Sequence, residues 1–186
     1  MAGTPITQTP GSPSTSDDLR QQYNLLVGDV EQQRLASENS ALTAGGCAEA
    51  TTTTKAKSVN TIVYYIEGVG LKSKGATDNL WDPTPLAVSA ALVAGQSVIL
   101  LLLLDAAGAG TVAQSSVAAT LAACTLPRPL PSAKAVVGTI SISAGAATTF
   151  TPGTTALATA GALTVTFADG FTLRNSDLLA AATINR

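Results

Sequence analysis

The sequence has no histidine among its 186 residues. That removes the commonest general base and the commonest metal ligand, so either role would fall to carboxylates, lysine, tyrosine or cysteine. Cysteine is almost as scarce. Cys47 and Cys124 lie far apart and outside any C-x-x-C spacing. They read as free thiols; one disulfide is the most they could form, and a two-cysteine metal site lacks partners. Charge is thin, at 12% of residues with a net of −2, which leaves no electrostatic basis for holding nucleic acid or an anionic membrane. Long apolar runs are missing too. The longest, Ser97 to Leu104 ("SVILLLLL"), falls well short of the ~20 residues that span a bilayer. The opening residues, "MAGTPITQTP", show neither the basic nor the apolar region of a secretory signal.

Aromatic residues make up only 4% of the chain, whereas alanine occurs 33 times and threonine 26 times. The 46% hydrophobic content therefore consists largely of small side chains, each burying little area. Such a chain gains less from an isolated core than from close packing or from assembly with copies of itself. Charge placement points the same way. Across residues 86–127 only Asp105 is ionised, and residues 135–168 carry no charge. The surface of a small soluble monomer is roughly a quarter to a third charged, so neutral stretches of this length suit surfaces covered by neighbouring subunits.

Three regions follow along the chain. Residues 1–16, "MAGTPITQTPGSPSTS", are too rich in Pro, Gly, Ser and Thr to fold alone and read as an extended arm. Residues 17–46 read as a helix, with Ser16 or Asp17 as N-cap and Gly45-Gly46 as the stop. Its apolar positions Leu19, Tyr23, Leu26 and Val30 follow the 4-3-4 spacing of a coiled-coil seam, softened beyond Val30. Residues 47–186 read as β-rich. "VNTIVYYIEG" (59–68) is a strand, and "GVGLKSKGATDNL" is its turn and return. "QSVILLLLLDAAGAGTVAQSS" is a strand, a hairpin connection and a strand, the leucine run implying cover on both faces. "SVAATLAACTL" suggests a short helix and "LPRPLPS" (126–132) a stiff connector. "AKAVVGTISISA" (133–144) and "ALTVTF" (162–167) alternate as strands, with Leu163, Val165 and Phe167 facing inward. The fold class expected is mainly β, an antiparallel sandwich or barrel-like domain behind an arm and one α-helix.

Residues that carry chemistry are few. Asp78 and Asp82, flanking Trp81 in "TDNLWDPTP", are the nearest approach to a paired-carboxylate or sugar-stacking site; Asp-Asn and Asp-Pro are more often turn residues. "GVGLKSKG" (68–75) lacks the Gly-Lys-Ser/Thr ending of a phosphate loop and reads as a hairpin with solvated lysines. Cys47, after the expected helix end, sits at the pole that does not lower a thiol pKa. No catalytic, cofactor-binding or metal-binding residue is assigned, and no cofactor is expected.

The order of the pieces resembles a group of tailed-bacteriophage virion structural proteins of the capsid-decoration or head-fibre kind. The resemblance runs over roughly residues 17–168 and rests on "DLRQQYNLLVGDVEQQR", "TTTTKAKSVNTIVYYIEG", "LKSKGATDNLW", "VILLLLLDAAGAGTVAQ", "LPRPLPSAKAVVGTISIS" and "TTFTPGTTALATAGALTVTF". It implies a non-enzymatic component of the capsid surface, made in the bacterial cytoplasm, that binds and stabilises the assembled major capsid protein. Together with the neutral stretches it leads to an expected homotrimer without nucleic-acid or membrane partners. Ile6, Leu19, Tyr23, Leu26 and Val30 are the expected contact residues. A host-surface adhesin, with Trp81, Tyr64 and Tyr65 against a glycan, and a tail or connector component are the alternatives.

Overall fold

Runs of β-branched and apolar residues broken by Gly, Pro, Asp and Asn fold into ten strands in the computed structural model, which describes residues 39–127 and 133–170. In chain order they are β1 (Ser40–Ala41), β2 (Cys47–Glu49), β3 (Ala56–Ser58), β4 (Ile62–Ile66) and β5 (Gly70–Lys74). Then come β6 (Thr77–Trp81), β7 (Ser97–Asp105), β8 (Gly110–Gln114), β9 (Lys134–Ala144) and β10 (Leu163–Asp169). Seven form one curled, half-barrel sheet in the order β5-β4-β1-β9-β7-β8, with β10 also on β9; β2-β3-β6 form a smaller sheet. The mainly β class thus stands, as one large curled sheet with a small one. All pairings are antiparallel except β1 with β9, where Ser40 lies beside Val136.

Side-chain alternation sets the core. On β4 the buried residues are Ile62, Tyr64 and Ile66. On β7 and β9 the cross-strand partners Val98 with Ile142 and Leu100 with Ile140 share the inner face. Val165 and Phe167 of β10, opposite Ile142 and Ile140, pack against the same cluster, and Leu163 is buried in it. Ala56 and Trp81 of the small sheet join that core. Two hydrogen bonds tie the curl together: the Tyr64 hydroxyl donates to the Asp105 carbonyl at 2.8 Å, and Trp81 Nε1 donates to the Leu103 carbonyl at 3.0 Å.

The leucine run is covered on both faces, as its composition implied. Leu100, Leu102 and Leu104 belong to the core cluster, while Leu101 and Leu103 point the other way and are also buried. The chain must pass over β7 to travel from β8 to β9. Part of that connection, a 3₁₀ turn at Leu121–Ala123, lies against β7 and β9 on the outer face.

Three expectations change. The stretch "SVAATLAACTL" holds only that 3₁₀ turn, since Thr120 and Cys124 are extended and stop it at either end. The end of the expected helix over residues 17–46 is not helical: Ser40–Ala41 is a strand held between β4 and β9. Ladder pairing outweighs the weak helix preference of "NSALTAGG". Among the described residues there is no α-helix of seven or more residues; residues 17–38, the arm, most of "PRPLP" and residues 171–186 lie outside them. The β-rich region also starts before residue 47, at β1.

Candidate interaction surface

Residues that face away from the core on β10, β9 and β7 form a surface with a distinct chemistry. Thr164 and Thr166 stand opposite Ser143 and Ser141, which stand opposite Ser97 and Ile99. Both threonines are exposed, and Ser141, Ser143 and Ile99 are half-buried. The hydroxyls of Ser97 and Ser143 bond each other at 2.9 Å. Within the four adjacent strands β10, β9, β7 and β8, the ionisable residues are Asp105, Lys134 and Asp169. Asp105 pairs with Lys134 at one end of β7 and β9; Asp169 closes β10 opposite Gly138 and, by strand alternation, lies on the inward side with Leu163, Val165 and Phe167. The remainder of the face is uncharged. At its far end lies an open groove of about 400 Å³ lined by Ser97, Thr120, Leu121, Ser143, Ala162 and Thr164 among others. Surfaces of this kind can be desolvated without the large cost of burying an ion.

The outer edge of β10 closes on its own chain. Ala160 and Leu163 exchange two backbone bonds, 3.0 and 3.1 Å, across a tight turn in which Gly161 takes φ +59°. Two residues along, the Thr159 hydroxyl both accepts from the Val165 N–H and donates to the Val165 carbonyl, each at 3.0 Å. At the opposite end Asp169 Oδ1 accepts the Cys47 N–H at 3.1 Å.

The expected contacts Ile6, Leu19, Tyr23, Leu26 and Val30 lie outside the described residues. Burial removes two of the three glycan suspects: Trp81 is 0% and Tyr64 1% exposed, both with their polar atoms bonded to backbone carbonyls. An aromatic plane sunk in the core offers no face to a sugar. Burial, and then the Asp105 charge, also raises the Tyr64 pKa. Tyr65 is half-buried on the opposite face of β4. Asp78 and Asp82 do not converge as a pair. Asp78 Oδ1 accepts the Thr51 N–H at 3.0 Å, pinning the Thr51–Thr54 loop. Asp82 accepts the Thr84 N–H at 2.9 Å and meets Lys55 Nζ at 2.8 Å. The bond to Lys55 and then that to Thr84 bring the Asp82 pKa down to about 2. These are turn and pinning roles.

Cys47 and Cys124 are free thiols. Gly45-Gly46 leads into β2 instead of ending a helix. Burial, reinforced by the neighbouring Asp169 carboxylate, pushes the Cys47 thiol far up, so it stays protonated at neutral pH and is neither nucleophile nor ready metal ligand. Sequence reasoning missed Thr159. In "TTALATAGALTVTF" it is one threonine of many, and the turn that presents it to Val165 is visible only once β10 is placed. No helix among the described residues is long and apolar enough to cross a membrane. No protein-family model, curated protein or solved structure matches the chain.

Proposed function

We propose that this chain is a structural component of a tailed-bacteriophage virion, a capsid-decorating or head-fibre protein that binds assembled major capsid protein on the capsid surface and reinforces it without enzymatic activity. The observation that carries the reading is the hydroxyl-rich outer face of β10, β9 and β7, uncharged except where Asp105 pairs with Lys134 at one end. A protein acting alone in water has little use for a face of this kind. One packed among neighbours gains from it, because small side chains allow close approach and hydroxyls satisfy backbone groups across the contact. Homotrimerisation would cover part of this face. Ile6 in residues 1–16, and Leu19, Tyr23, Leu26 and Val30 in the segment expected from its spacing to be helical, would supply the contacts to the capsid lattice. Binding only to the assembled shell then stabilises it by mass action.

Two measurements test this. Light scattering behind a sizing column is expected to give three times the 18.6 kDa of the chain; a monomer at all concentrations removes the trimer. Co-sedimentation with tailed-phage capsids produced without the protein is expected to recover it with the particles. Deleting residues 1–16 should abolish that recovery while leaving the β-sheet signal in circular dichroism unchanged. A full chain that stays in the supernatant overturns the virion role.

A further inference from the structure

The outer edge of β10 presents backbone groups that the chain's own residues 159 and 160 bond in part. Backbone direction alternates along a strand. Leu163 and Val165 turn their N–H and C=O outward, as their bonds to Ala160 and Thr159 demonstrate, so Phe167, two residues on, turns outward as well. No partner for the Phe167 backbone occurs among the described residues outside its own ladder. Thr159 does with one hydroxyl what a neighbouring strand does with a peptide unit: it donates to the carbonyl and accepts from the amide of the same residue. It supplies two of the four hydrogen bonds holding the strap of residues 159–162 on the edge, and Ala160 supplies the other two.

We propose that Thr159 is an autoinhibitory latch, and that the site it occupies takes β10 of a second copy of this chain in antiparallel, two-fold pairing. The choice of occupant follows from β10 itself. Pairing centred on Thr166 sets Val165 of each copy against Phe167 of the other, so every outward group between them finds its complement. The strand has one ionisable residue, Asp169 at its end, and this register carries the two carboxylates to opposite ends of the pair, opposite Leu163. Thr164 and Thr166 then continue the uncharged outer face across the junction. This pairing rests on hydrogen bonds and register alone and is independent of the virion reading.

Sedimentation velocity over a wide concentration range, on the full chain, is the test. Thr159→Ala is expected to convert the wild-type species into one of twice its mass as concentration rises, whatever the wild-type mass is; Thr159→Ser, which keeps the hydroxyl, should not. Adding Thr166→Lys to Thr159→Ala opposes two lysines at the two-fold axis and should abolish the doubling. A Thr159→Ala protein that keeps the wild-type mass throughout, or a Thr159→Ser protein that also doubles, overturns the latch. Amide exchange tests the latch in the wild type, without any substitution. The Val165 amide should exchange about tenfold more slowly than that of Phe167, as expected for one added hydrogen bond; equal rates mean that the hydroxyl holds nothing.

Discussion

Trp81 is the largest side chain in the core, and it comes from the smaller sheet. It acts twice, filling volume between the sheets and joining its indole N–H to the carbonyl of Leu103 in the leucine strand. Trp81→Phe removes the bond and leaves the carbonyl and some space unfilled, and is expected to cost about 2–3 kcal/mol in urea unfolding. Gly110 is a second sensitive point, because a Cβ there would run into the Leu80 carbonyl oxygen; Gly110→Ala is expected to lower the thermal midpoint sharply. At Asp82 the folded pKa lies near 2, below the ordinary value of 3.8. The ion pair with Lys55 therefore contributes above about pH 4 and is lost as pH falls toward 2. Both side chains are partly exposed, 31% and 41%, so water screens the pair and its worth is under about 1 kcal/mol. Asp82→Asn should flatten that part of the acid-unfolding profile and little else. Cys47 should resist alkylation at pH ~8 until denaturant is added, read by mass spectrometry of the modified peptide.

Among the elements, β7 and β9 form the central pair, and their ladder shifts register between Leu102 and Leu103. That irregularity, with Val137 as the extra residue, switches the inward set of β9 from Ala135 and Val137 to Ile140, Ile142 and Ala144 while the sheet bends. Strand position, more than hydrophobicity, sets what each leucine is worth. Leu102 is fully buried at the centre, whereas Leu71 on the β5 edge is 64% exposed. Leu102→Ala is expected to destabilise by about 2–5 kcal/mol and Leu71→Ala by less than about 0.5 kcal/mol. The two end strands of the path, and β10 beside them, are managed differently. β5 carries Lys72 and Lys74, charges that discourage edge-to-edge pairing. β8 has β6 beside it, at Gly110. β10, with no charge before its last residue, relies on Thr159.

On β10, β9 and β7 the outer face is ionisable only where Asp105 pairs with Lys134, and the rest of it presents hydroxyls and apolar groups. Contact among copies or with a lattice therefore incurs little ion desolvation and shows weak dependence on salt. If the protein assembles through this face, raising sodium chloride from about 0.05 to about 0.5 M should leave its mass in light scattering unchanged. Replacing exposed Thr166 by Glu should reduce that mass. Dissociation by salt would instead point to the charged end as the contact.

Many of the strands were legible in the residues. The alternation of β4, the unbroken leucines of β7, the hairpins β4–β5 and β7–β8, and the inward Leu163, Val165 and Phe167 all follow from local periodicity and turn chemistry, which depend on neighbours a few residues away. The neutrality of residues 86–127 and 135–168 was equally plain. Which strands lie side by side was not. The two residues of β1 carry no periodic signal, and they become a strand only because β4 and β9 offer them partners. The exposure of Trp81 and Tyr64 was likewise undecided, since an aromatic residue in a turn-rich stretch serves a core or a binding face equally well until a second sheet is packed against it. Thr159 illustrates the same division: its hydroxyl is one among 26 threonines in sequence, and only the fold, by carrying the chain back along β10, sets that oxygen beside the outward backbone amide and carbonyl of Val165.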